Sequence, residues 1–285
     1  MVWDPDPILV QLGPIAIRYY GVIYAVALMG AFYLFRWQML RAGHPEKEAD
    51  TFLTMGVLGA IIGARLGHVF FYDAQRYLAD PITILYIHKG GLASHGATIA
   101  LVLVLFYYAW RFKVHFTEVF DSFSFGAAWA AILIRVGNFM NSEIVGRPTG
   151  SDWGVQFPRH DAPSLFKGDA VVNPDAYQAA LANVPLRHPS QLYEVGLGIL
   201  VLLALLAVDR KFGAQRPRGL LGGMFFLLYF TGRFTVEFFK DFQTLDAQQS
   251  TLTMGQYLSI PFMILGTAWI VYSLKKKHPT TIISS

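Results

Sequence analysis

The chain has 285 residues, 54% hydrophobic and only 15% charged, with a mean hydropathy of +0.41. That balance excludes an ordinary soluble domain and points to a polytopic membrane protein, and the absence of cysteine excludes disulfides, thiolate metal sites and a cysteine nucleophile. A formal charge of +4 would hint at nucleic acid in a soluble protein; in a membrane protein basic loops set orientation, so no nucleic-acid binding is expected.

The N-terminal segment carries Asp4 and Asp6 and no Lys or Arg before Arg18, the reverse of a signal peptide's basic start, so the first span is expected to be retained. Apolar runs follow at 15–37, 51–72, 92–110, 119–139, 190–208, 219–239 and 257–274, each near the roughly 20 residues that a bilayer-crossing helix needs. The expected fold is therefore all-α and polytopic, with seven transmembrane helices in one membrane-embedded domain, 1–285. The runs 119–139 and 219–239 contain charges. The one long connection, 140–189, is rich in Pro, Asp, Asn and aromatic residues and reads as a small extracytoplasmic head between spans four and five. One alternating set of loops is short and basic, with Arg36, Arg41, Lys47, Arg111, Lys113, Arg210, Lys211, Arg216, Arg218 and Lys275 to Lys277. The positive-inside rule then places the N-terminus and the head outside and the C-terminus in the cytoplasm. No internal repeat stands out, which counts against inverted-repeat transporters.

Polar residues at membrane depth mark functional sites by default. Tyr20 in the first run, His95 in the third, Arg135 and Asn138 in the fourth and Arg233 with Glu237 in the sixth all fall in the same leaflet. Arg135 and Asn138 are spaced i,i+3 and Arg233 and Glu237 i,i+4, so each pair shares a helix face. The set reads either as a site open to the outer leaflet or as ion pairs that only fasten the bundle. His95 lies in the glycine-rich turn Gly90 to Gly96, where a neutral imidazole can serve as a base or as a hydrogen-bonded core group. Arg65 and His68 read as packing residues, and Asp121 as a capping or pairing carboxylate. In Arg187 to Glu194, Pro189 stands near a helix start that Ser190 can cap, with Glu194 in the first turns; His188 with Glu194 is a weak metal signal. There is no Walker A sequence, dinucleotide fingerprint, HExxH or GxSxG.

The ordered motifs Tyr19-Tyr20-Gly21, Gly90 to Gly96, Arg135-Val-Gly-Asn-Phe-Met-Asn-Ser-Glu143 with Gly146-Arg147, His188-Pro-Ser-Gln-Leu-Tyr-Glu194 and Gly232-Arg233-Phe-Thr-Val-Glu237 make the chain resemble the prolipoprotein diacylglyceryl transferases nearly end to end. The resemblance implies transfer of the diacylglyceryl group of phosphatidylglycerol to the thiol of the lipobox cysteine in a preprolipoprotein signal peptide. Glycerol phosphate leaves and a thioether forms, at the bacterial cytoplasmic (inner) membrane, as the first step of lipoprotein maturation. It places the family's site residues on Tyr20, His95, Arg135, Asn138, Glu143, Gly146, Arg233 and Glu237. On this reading His95 assists thiol deprotonation, Arg135 and Arg233 hold the phosphate, and Tyr20, Asn138 and Glu143 orient the head group, with no metal or organic cofactor. Ile134 and Ser142 stand where the family pattern usually has Gly, and Lys240 where Arg is common, keeping the charge but losing the two-pronged grip on phosphate. The alternatives are a transporter or channel for an anionic solute and an intramembrane hydrolase acting through Ser94 or Ser190.

Overall fold

The computed structural model describes residues 1–13, 15–87, 90–167, 170–241 and 251–276; Lys277, counted above among the loop charges, lies outside them. The chain opens with a short antiparallel hairpin, β1 (Ile8–Leu12) and β2 (Ile15–Arg18), where a first span from residue 15 was expected. Ile-Ala-Ile-Arg alternates and pairs back across a turn at Gly13, whose φ of 58° suits glycine, so the helix starts only at Tyr19.

The helices α1 (Tyr19–Arg41) and α2 (Glu46–Tyr72) come next, followed by the short α3 (Ala74–Ala79) and then α4 (Ser94–Phe112) and α5 (Phe116–Met140). α2 begins a turn before its apolar run because Pro45 ends the preceding loop and Glu46 and Glu48 suit the positive end of the helix dipole. Lys113, at φ 55°, closes α4, and the His115 ring caps α5 by accepting from the Thr117 amide. The head holds α6 (Pro158–Asp161), the two-residue strands β3 (Phe166–Lys167) and β4 (Ala170–Val171), and α7 (Pro174–Leu181), which Asn173 caps. Three long helices complete the chain: α8 (Ser190–Phe212), α9 (Leu220–Val236) and α10 (Met254–Lys276).

Six of these helices are long and apolar enough to cross a membrane: α1, α2, α4, α5, α8 and α10. The expected sixth span, 219–239, is interrupted: α9 has 17 residues and gives way to a 3₁₀ turn over Glu237–Phe239. At 1.5 Å per residue α9 is roughly 26 Å long, short of a ~30 Å hydrocarbon core.

α5 lies at the centre, against α1, α8, α9 and α4, and α9 and α10 pack along one another. Phe125 and Ala128 of α5 meet Val201 and Leu205 of α8 and Leu221 and Phe225 of α9 in one buried cluster. A second cluster, with Phe35, Phe52, Tyr108 and Phe120, gathers α1, α2, α4 and α5 at the end carrying the basic loops. α2 and α4 approach backbone to backbone because Gly63 and Gly67 face Gly96; a Cβ on Gly96 would strike the Gly63 carbonyl.

The two ends of the bundle are fastened differently. At the head end, Phe139, Val145, Val155 and Phe157 pack with Trp3, whose indole donates to the Phe139 carbonyl at 2.8 Å. Asp4 pairs with Arg159 at 2.5 Å and accepts the Tyr177 hydroxyl at 2.8 Å, which places the N-terminal segment and the head on one side. Arg187 grips both oxygens of Asp161 and reaches Asp241 at 2.8 Å and the Gly146 carbonyl at 3.0 Å. At the other end Asp121 is the capping carboxylate expected: it accepts from the Gly219 and Gly222 amides, each at 2.7 Å, and so caps α9 from a neighbouring helix. Asp209 there binds Arg216 and Arg41. Arg65 is a packing residue, its guanidinium donating to the carbonyls of Thr83, Ile84, Gly90 and Gly91.

Candidate active site

At the head end α5 finishes in a turn whose backbone carries the site. Asn141 caps the helix, its amide donating to the Gly137 and Phe139 carbonyls, and Ser142 and Ile144 then take φ values of 54° and 55°. Both lie in the left-handed region, which accounts for the glycine usual at position 142 in the family pattern. The turn is pinned from α8: Gln191 donates to the Glu143 carbonyl at 2.8 Å and Ser190 to the Ile144 carbonyl at 3.1 Å. The expectation that Ser190 caps its own helix is thus corrected, since its hydroxyl is committed across the interface.

Around this turn three cations share two buried carboxylates. Arg135 Nε lies 2.7 Å from the Glu194 carboxylate. Lys240 Nζ lies 2.7 Å from Glu237 and 3.8 Å from Glu194, and Arg233 is 3.9 Å from Glu194 and 4.0 Å from Glu237. Glu194 and Lys240 side chains are 2% and 3% exposed, so neither charge could be held there unpaired. Thr253 donates to the second Glu237 oxygen at 2.9 Å, and a Cβ at Gly255 would collide with that carboxylate. The three cations outnumber these two acids by one, and Glu143 stands nearby as a third acid, joined to Arg135 through Asn138.

Arg135 also donates to Asn138 Oδ1 at 3.2 Å, and Asn138 and Asn141 donate to Glu143 at 3.4 and 3.2 Å. The Tyr20 ring covers this end of α5, packed where a Cβ on Gly137 would lie 2.9 Å from it. Among the described residues Arg233 makes no hydrogen bond, and its side chain is 24% exposed, the most open of the three cations. Its guanidinium therefore keeps its donors for an incoming anion.

The structure thus gathers Arg135, Asn138, Glu143, Tyr20, Arg233 and Glu237, all expected from the sequence. It does not bring His95 to them: that ring is exposed at the start of α4, 5.5 Å from the Phe71 ring and 5.6 Å from Tyr72, with no hydrogen bond among the described residues. Gly146 stands beside the cluster rather than in it. Its amide donates to the His188 carbonyl at 3.1 Å, and a Cβ would strike the His188 and Phe239 carbonyls, so it lets three segments cross. Two members were missed. Glu194 was read as an early helix residue and, with His188, as a weak metal signal, and is the shared partner of all three cations; Lys240 was read as a weakened phosphate ligand and is buried in the cluster. The available signal was an acid four residues inside an apolar span, which demands a partner. His188 Nδ1 lies 3.0 Å from the Tyr193 hydroxyl, and no group of three metal-ligating side chains occurs among the described residues.

Beside Glu143 a cleft of about 250 Å³ opens between the N-terminal hairpin and the head, lined by Arg18, Asn141, Glu143, Arg159 and Phe166.

A family model described as prolipoprotein diacylglyceryl transferase matches residues 7–272. A phosphatidylglycerol–prolipoprotein diacylglyceryl transferase of Tolumonas auensis is 36% identical over 97% of this chain and 99% of its own length. Proteins of the same name from Burkholderia multivorans, 35% identical over 96% of each chain, and Chloroherpeton thalassium, 36% identical over 96% of this chain and 94% of its own, agree. With matches that run from the first hairpin to the last helix, the chain belongs to the prolipoprotein diacylglyceryl transferase family.

Proposed function

We propose that this chain moves the diacylglyceryl group of phosphatidylglycerol onto a cysteine thiol of a prolipoprotein, the first step of lipoprotein maturation. The acceptor is the lipobox cysteine of the signal peptide, and the enzyme works in the bacterial inner membrane. The sulfur attacks the glyceryl carbon that bears the phosphodiester; the carbon–oxygen bond breaks, a thioether forms and glycerol phosphate departs with the bonding pair. The thiol proton is lost in the process, and the leaving phosphate gains negative charge.

The observation that carries this reading is Arg233, a guanidinium 24% exposed and without a hydrogen bond among the described residues, beside Arg135 and Lys240. A phosphate gaining charge is stabilised by donors already fixed where that charge develops. Arg135, held by Glu194 and Asn138, supplies the second guanidinium. Tyr20, Asn138 and Glu143 orient the glycerol head group, while Glu237 and Gly146 hold Arg233, Lys240 and the crossing segments in register. Sulfur attack needs the thiolate, and a thiol of pKa about 8.5 is driven towards it by a base or by positive charge. The base expected at His95 stands outside the cluster; His95→Gln slowing turnover at least tenfold in folded protein would give it that role, and near-normal turnover would leave the arginine field as the sole activator.

Seven spans with the head outside fit this chemistry. α9 packs along α10 and brings Arg233 to the level of Arg135, and a polar cluster at its end explains its shortness. The 140–189 head and the N-terminal hairpin then form one extracytoplasmic cap on a single domain. The test is purified protein with phosphatidylglycerol and a one-cysteine lipobox peptide, following peptide mass and glycerol phosphate together. A diacylglyceryl mass gain lost in Arg233→Ala is expected; no transfer by folded wild-type protein overturns the assignment.

A further inference from the structure

A second cavity lies at the opposite end of the bundle, about 230 Å³, lined by His115, Thr117, Arg218, Tyr272, Ser273 and Lys276. From Thr117 to Arg135 along α5 is 18 residues, roughly 27 Å at 1.5 Å each, so this cavity sits nearly a full hydrocarbon core away from the arginine cluster. It lies where α5 begins and α10 ends, among the short basic loops.

Four observations give it a ligand. Ser273 is 2% exposed and its hydroxyl has no hydrogen-bond partner among the described residues, though it lines the cavity; a buried hydroxyl left so is costly unless something enters to meet it. Gly219 makes the room, since a Cβ there would press on both Trp269 and the Ser273 hydroxyl. Arg218 and Lys276 set two cations at the rim, with Glu118 3.9 Å from Arg218 and 2.8 Å from His44. Tyr272 is 54% exposed on the same wall, presenting a ring with a polar tip at interfacial depth.

We propose that this cavity binds the phosphate of an anionic phospholipid from the leaflet opposite the arginine cluster, as a second lipid site independent of transfer. Ser273 donates to a phosphate oxygen, Arg218 and Lys276 neutralise its charge, and the acyl chains run down the apolar outer face of α10. Free phosphate offers the same oxygens but not the chains, so the two sources are separable.

The test is native mass spectrometry of delipidated protein given phosphatidylglycerol, with Arg233→Ala to weaken the first site and Arg218→Gln with Lys276→Gln to weaken the second. Each basic group near a membrane surface contributes about 1 kcal/mol to anionic-lipid binding, so the double variant should lose one bound lipid with affinity lowered at least tenfold while keeping transfer activity. Ser273→Ala should lower it less, without a fall in thermal stability. The proposal is overturned if the bound-lipid distribution of the double variant matches wild type, or if millimolar inorganic phosphate displaces that lipid fully. Absence of transfer by wild type would sink the transferase reading alone, since lipid counting does not depend on it.

Discussion

Glu194 decides more than its place in the sequence indicates. A carboxylate 2% exposed between Arg135 and Lys240 is tolerable only because both cations are there, and each cation is tolerable only because of it. Removing one partner of a buried ion pair typically costs 3–5 kcal/mol because the other is left uncompensated. Glu194→Gln should therefore lower thermal stability in detergent and abolish most transfer, and adding Lys240→Met should recover part of the melting temperature but not the activity. Arg135→Lys keeps the charge yet loses the fork that meets Glu194 and Asn138 together. Its turnover should fall about 10²-fold or more, on the scale of losing one preorganised donor; equal turnover in the peptide assay would argue against bidentate phosphate recognition. Ser142 is the reverse case: at φ 54°, with a buried hydroxyl lacking a partner, Ser142→Gly should stabilise the protein by about 1 kcal/mol in a thermal melt.

Among the elements, α9 carries the most consequence. It is capped not by its own N-terminal residues but by Asp121 of α5, through two amide bonds of 2.7 Å. Asp121→Ala should cost about 1–2 kcal/mol, as the loss of a helix cap does, measured by thermal unfolding, with transfer per folded molecule retained because Arg233 lies at the other end of α9. Sequence reading placed α9 within two or three residues and gave it Arg233 and Glu237 at the right spacing, but it extended the span to 239, where the chain leaves the helix to deliver Lys240 into the cluster. The helix period could not reveal that exit, because Phe238 and Phe239 keep the run apolar. The α2–α4 pair was legible as two spans; that they touch through Gly63 and Gly96 was not, since glycines give no periodic signal.

For the whole molecule, the N-terminal segment and the head share one end, joined by Asp4, Arg159 and Tyr177, and the basic loops share the other. The orientation proposed above makes a direct prediction in a chain without native cysteine: Ser151→Cys in the head should label with a membrane-impermeant thiol reagent in intact cells, whereas Lys113→Cys should label only after lysis. Labelling of both or the reverse pattern would invert or refute the orientation. What the sequence by itself determined was the all-helical membrane class, the family and which polar residues stand at membrane depth, because hydropathy length, charge at membrane depth and ordered motifs are local properties of the chain. What only the tertiary structure decided was which charges meet. Glu194 from α8, Arg135 from α5, Arg233 from α9 and Lys240 beyond it are separated by long stretches of chain, and an ion pair depends on distances of a few ångströms that no one-dimensional pattern encodes.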